Sequence, residues 1–180
     1  MQYINHKNLI IVGFMLLLTA CGEDAFVSPG NSNKPADAET VINSFKATGA
    51  SVDAGVEVIA TTEPFSLAWN VSSSSTYTFE VWLSSNTELS GTDIKFFSGS
   101  CGPGKDCLGA LGDFDCDFVK SDTATTLACN NAANPVDVAD VLAGVSPGKI
   151  TAYLFYKANN QVGDPGNEKT APPQKVTFDF

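Results

Sequence analysis

Phe65-Ser66-Leu67-Ala68-Trp69-Asn70-Val71 leads through Ser72–Ser75 into Tyr77-Thr78-Phe79-Glu80-Val81-Trp82-Leu83. In the first run Phe65, Leu67, Trp69 and Val71 alternate with Ser66, Ala68 and Asn70. In the second, Tyr77, Phe79, Val81 and Leu83 alternate with Thr78, Glu80 and Trp82. Successive side chains of an extended chain point to opposite faces, so a period of two marks a half-buried strand. The serines between the runs form a polar turn. Working outward, Val41, Ile42 and Phe45 open another strand, and Val56, Val58 and Ile59 a further one. Ile94–Phe97 is short and apolar. Phe114, Cys116 and Phe118 alternate with Asp113, Asp115 and Asp117, and Leu127 and Cys129 lie on a returning strand. Val136–Ala143 reads as one helical turn or a crossing segment. Pro147-Gly148 turns into Ile150–Lys157, and Lys175–Phe180 supplies the last strand. Short strands, frequent turn signals and the lack of a long amphipathic pattern predict an all-β, antiparallel, immunoglobulin-like β-sandwich over residues 41–180.

Four stretches carry a likeness to known modules. Phe45-Lys46-Ala47, Ser51-Val52-Asp53-Ala54-Gly55 and Phe65–Trp69 resemble the cadence of bacterial immunoglobulin-like and fibronectin type III-like domains. Gly144–Tyr153 resembles their turn into the penultimate strand. The cysteine placement departs from antibody-type domains, so the resemblance implies no inter-sheet disulfide on a tryptophan, and Trp69 is read as core.

The N-terminus has a different character. Lys7 precedes Leu9–Leu18, LIIVGFMLLL, which has no polar side chain. A membrane-spanning helix needs about 20 apolar residues, so this run reads as the core of a secretory signal. Leu18-Thr19-Ala20-Cys21 follows at once and resembles the lipobox of bacterial lipoproteins. The resemblance implies cleavage between Ala20 and Cys21, a diacylglycerol thioether on the Cys21 sulfur, and a fatty acyl group such as palmitate on the freed amine. Gly22, standing where Asp would signal inner-membrane retention, implies the outer membrane. Residues 1–20 are thus read as a signal peptide. Residues 21–40, with two prolines and small polar side chains but no periodicity, are read as a lipidated N-terminus and flexible tether.

The chain has 180 residues with ten Lys, 20 acidic residues and one His, for a net charge of −10. There is no Arg, and the single His is His6, which lies in the signal segment. So acidic a chain repels nucleic acid, which binds clustered Lys and Arg. The mature chain has no imidazole for a Ser-His-Asp or Cys-His arrangement or for a histidine-ligated zinc site.

Four cysteines remain in the exported part, and an even number in an oxidising compartment argues for two disulfides. The expected pairs are Cys101–Cys107, closing a tight loop, and Cys116–Cys129. The second follows from register. A turn centred on Asp122-Thr123 pairs residues whose numbers sum to 245, which sets Cys116 opposite Cys129 and Phe118 opposite Leu127.

Asp113, Asp115 and Asp117 are candidate calcium ligands. Alternate strand residues lie about 6.8 Å apart, however, so all three cannot share one ion without a bulge or loop. Trp82 and Tyr153 are candidate binding residues. Trp82 with Glu80, and Tyr153 with Phe155, are expected to face away from the core as an exposed aromatic row, unless the 101–147 excursion covers that face. No other cofactor is expected. The resulting expectation is a non-catalytic, lipid-anchored binding or structural module at the outer membrane. It would be held there by its acyl chains and face the periplasm or cell surface, with a protein or glycan partner. A carbohydrate-binding or calcium-dependent adhesion module and a carboxylate-based periplasmic hydrolase are the alternatives.

Overall fold

The computed structural model describes residues 40–102, 114–120, 125–130, 135–142, 148–160 and 167–180. The expected signal segment, Ala20, Cys21, the tether as far as Glu39, Cys107, Asp113 and the Asp122-Thr123 turn lie outside them, whereas Thr40, the last residue of the expected tether, is buried. The described residues form a two-layered all-β sandwich, as expected from the alternating runs. Its elements are β1 (Val41–Thr48), β2 (Ser51–Asp53), β3 (Val56–Ala60), β4 (Phe65–Ser72), β5 (Tyr77–Ser84), β6 (Ile94–Cys101), β7 (Phe114–Lys120), β8 (Thr125–Cys129), β9 (Val136–Asp137), α1 (Ala139–Leu142), β10 (Lys149–Asn159), β11 (Glu168–Thr170) and β12 (Gln174–Asp179).

One sheet has the order β1-β4-β7-β8-β9. The other runs β2-β3-β12-β10-β5-β6, with β11 added beside β10. The two founding runs, β4 and β5, therefore lie in different sheets, and the serine turn carries the chain across the core. Pairing is antiparallel except between β12 and β3, which run parallel, with Val176 opposite Glu57 and Asp179 opposite Ala60. The parallel pair arises because β12, running away from β10, is inserted between β10 and β3. Two short strands, β2 and β11, carry no apolar alternation and were not foreseen as strands. Of Val136–Ala143, described as far as Leu142, the expected helical turn is α1, while Val136-Asp137 instead form the short strand β9 beside β8. Val138, Val141 and Leu142 then enter the core.

The core is aromatic. Trp69, on β4, lies 4.8 Å from Phe79, 5.8 Å from Phe114 and 5.4 Å from Tyr156 between ring centroids. Phe65, Phe118, Phe178 and Phe180 form a second group, with Phe118 5.4 Å from Phe178. Trp69 is 2% exposed, as a core residue should be.

Two details seal the seam between the sheets. Gln174 Nε2 donates to Ala47 O at 2.8 Å, while its Oε1 accepts from Ala47 N–H. One side-chain amide thus satisfies both outward backbone groups of Ala47 on edge strand β1, which would otherwise be open to another strand there. Gly49 lets the chain leave β1 here, because a Cβ at this position would come 2.1 Å from Val58 O. The β2–β3 hairpin turns on Ala54 and Gly55, both left-handed at φ 49° and 83°, as a two-residue turn between twisted strands requires.

Candidate functional site

The register expected for β7 and β8 is the observed one: Cys116 lies opposite Cys129 and Phe118 opposite Leu127. Cys116 and Cys129 are buried and joined in a disulfide, with their Cα atoms 4.0 Å apart. Cys101 is also buried and disulfide-bonded. Its expected partner, Cys107, lies outside the described residues.

Asp115 and Asp117 share the exposed face of β7, and Asp115 Oδ1 accepts from Ser66 Oγ at 3.1 Å. Among the described residues no three His, Cys, Asp or Glu side chains converge. Asp113, the third expected ligand, is not among them. A groove of about 300 Å³ opens between Thr40–Ile42 and Lys169–Pro172. Lys169 is its one charged lining residue, so it brings together no acid–base pair.

The richest constellation lies on the outer face of the longer sheet, around Trp82. Phe79 and Val81 enter the core and Trp82 points the other way, as the alternation requires. Glu80, two residues earlier on the same face, accepts from Trp82 Nε1 at 3.0 Å and pairs with Lys95 Nζ at 2.9 Å. On the other flank Lys157, on β10, pairs with Glu168 Oε1 at 2.7 Å. Both ammonium groups approach the indole, at 5.7 Å (Lys95) and 5.8 Å (Lys157) from its centroid. Burial alone would push the Glu80 carboxyl up. The Lys95 and Trp82 hydrogen bonds, with the charges of Lys95 and Lys157, outweigh it and hold the group below the usual carboxylate range.

A bulge on β6 builds this arrangement. Val81 pairs with Phe97, but Trp82 pairs with Lys95, which leaves Phe96 as the extra residue. In an unbroken ladder Phe96 would stand opposite Trp82. The bulge turns Phe96 inward, where it is buried, and brings Lys95 beside the indole. Two consecutive aromatics, Phe96-Phe97, were the available signal, since a regular strand cannot send both inward.

Tyr153 is half-buried, opposite Ser84 on β5 and Lys175 on β12. The expected row is corrected at Phe155, which pairs with Trp82 on the outer side yet is only 4% exposed. Cross-strand and same-face neighbours wall it in, so it acts as a floor for the patch rather than a contact surface. The described part of the 101–147 excursion builds β7, β8, β9 and α1 instead of covering this face.

No protein-family model, curated protein or solved structure matches the chain.

Proposed function

We propose that the chain is a lipid-anchored, non-catalytic binding or structural module of the bacterial outer membrane. One observation carries the reading: a ten-residue apolar run ends in Leu18-Thr19-Ala20-Cys21. Cys21 receives the acyl chains, which together supply enough buried methylenes for stable attachment. Residues 22–40 act as the tether. The sandwich that follows is built of the kind of rigid sheet that presents a surface, and the mature sequence holds no His or Arg for nucleophile activation or phosphate capture.

The experiment is a phase partition of the wild-type protein and Cys21→Ser, with the mature N-terminal mass measured alongside. Wild type is expected in the detergent phase, beginning at an acylated Cys21. The variant is expected to be unacylated and uncut at Ala20. An unmodified wild-type N-terminus, or acylation that persists in Cys21→Ser, overturns the reading.

A further inference from the structure

We propose that the groove beside β1 takes an extended segment of a partner protein, which adds to the free edge of that strand and sets one acidic side chain against Lys169. The inference rests on the non-catalytic binding reading above and names the kind of partner.

The edge calls for a polypeptide. β1 is the last strand of its sheet, with β4 as its only strand neighbour. At Ala47 the outward N–H and C=O are both taken by the Gln174 amide, which substitutes for the backbone of a further strand. Phe45, two residues back, directs its own N–H and C=O to the same side. The irregularity between Ile42 and Ser44 makes Asn43 the extra residue, so Ile42 faces that side as well. Among the described residues no further hydrogen bond takes up these groups. Ile42 lines the groove with Thr40 and Val41, and residues 169–172 form the opposite wall. An added strand hydrogen-bonds through its main chain and lays alternate side chains into pockets beside it.

The groove also selects the occupant. Its far wall stands where a neighbouring strand of a second sandwich would have to come, so it admits one flexible segment rather than the folded edge of another copy. Val41, Ile42, Ala171 and Pro172 make the lining largely apolar, and Val41 is 42% exposed. Lys169 is the one charged lining residue. It lies opposite Ala158, whose side chain is in the core, so Lys169 leaves β11 on the side facing the β1 sheet. Lys46, Lys95, Lys149 and Lys157 each pair with a carboxylate, whereas Lys169 has no ionic partner among the described residues. A carboxylate on the incoming segment supplies one. A side chain fits this role better than a chain end, because it leaves peptide groups on both of its flanks free to pair with β1. One acid suffices, since a chain of net charge −10 repels a run of them.

The test pans a randomised octapeptide display library against the full mature protein in detergent micelles. Enriched sequences are synthesised with both ends capped and titrated calorimetrically. Saturable binding is expected from peptides that combine alternating apolar residues with one Asp or Glu. Changing that acid to its amide, or using Lys169→Gln, should weaken binding about fivefold, and the two changes together should weaken it no further. Methylating alternate backbone nitrogens of the peptide should weaken binding about tenfold in one register and little in the other. Lys169 is exposed, so Lys169→Gln should keep the urea midpoint of wild type. Four outcomes overturn the proposal: no sequence is enriched, Lys169→Gln binds like wild type, methylation matters in neither register, or capping the peptide ends abolishes binding. Dimerisation in sedimentation that Lys169→Gln abolishes, without peptide binding, would assign the groove to a second copy and overturn it too. Peptide binding by a wild-type protein that proves unacylated would defeat the anchoring reading and leave this one intact, so the two failures are separable.

Discussion

Tyr156 is the largest fully buried side chain among the described residues, and among them its hydroxyl completes no hydrogen bond; nor does Trp69 Nε1 beside it. Burial raises the Tyr156 hydroxyl far above the usual phenol range, with the neighbouring Tyr77 hydroxyl adding to the effect. Tyr77 is itself raised, chiefly by burial. The Tyr77 hydroxyl lies beside both groups and interacts with them. A buried, unpaired hydroxyl costs about 1–3 kcal/mol, whereas the ring around it is sandwiched by Phe45 and Trp69. Tyr156→Phe is therefore expected to leave stability unchanged or raise it by about 1 kcal/mol in urea denaturation. A loss of similar size would show that the hydroxyl has a partner. Ala54 is a second costly residue, since a left-handed backbone carries a Cβ penalty of about 1 kcal/mol. Ala54→Gly should recover part of it, read as a higher urea midpoint at unchanged slope. Glu80 governs the acid response of the patch. Its carboxyl is held low in the fold, so the unfolded chain binds the proton more readily. Its contribution is complete above the unfolded carboxylate range and is lost as pH falls through the lowered value. Glu80→Gln should flatten the fall in stability below about pH 5, with a modest effect because the side chain is about one-third exposed.

At the scale of elements, the β7–β8 pair was legible from its residues alone. Alternation placed Phe114, Cys116 and Phe118 on one face, and a turn position then determined each partner. The disulfide closes a loop with a sequence separation of 13, for which chain entropy alone amounts to about 3 kcal/mol. The double variant Cys116→Ala/Cys129→Ala should lose about 2–4 kcal/mol in equilibrium denaturation; a change below 0.5 kcal/mol would mean that the reduced hairpin holds its ends together by packing alone. Strand β6 shows where local reading stops. Ile94–Phe97 was visible as an apolar run, but the bulge at Phe96 exists because Val81 and Trp82 on β5 demand different partners. Strands β2 and β11 were missed for the opposite reason. Their side chains are exposed, so burial imprinted no period on Ser51–Asp53 or Glu168–Thr170.

For the whole molecule, the chain crosses repeatedly between two sheets, and its first and last strands are clamped together through Gln174 and Ala47. The described body begins at Thr40, which is already buried. Limited proteolysis of the mature protein should therefore stop at a resistant fragment starting close to Thr40, identified by its mass; cleavage within β4 or β5 before any trimming would contradict a closed sandwich. The alternating strands, their buried faces, the Cys116–Cys129 register and the all-β class could be read directly, because side-chain alternation is a local imprint of one-sided burial and needs no knowledge of neighbours. Tertiary structure alone settled which strands share a sheet, the parallel seat of β12, and the burial of Phe155 beneath an outward-facing Trp82. It also set Lys95 and Lys157 on either flank of that indole. Each depends on residues brought side by side from distant parts of the chain, and a linear pattern carries no record of a contact whose two halves are separately unremarkable.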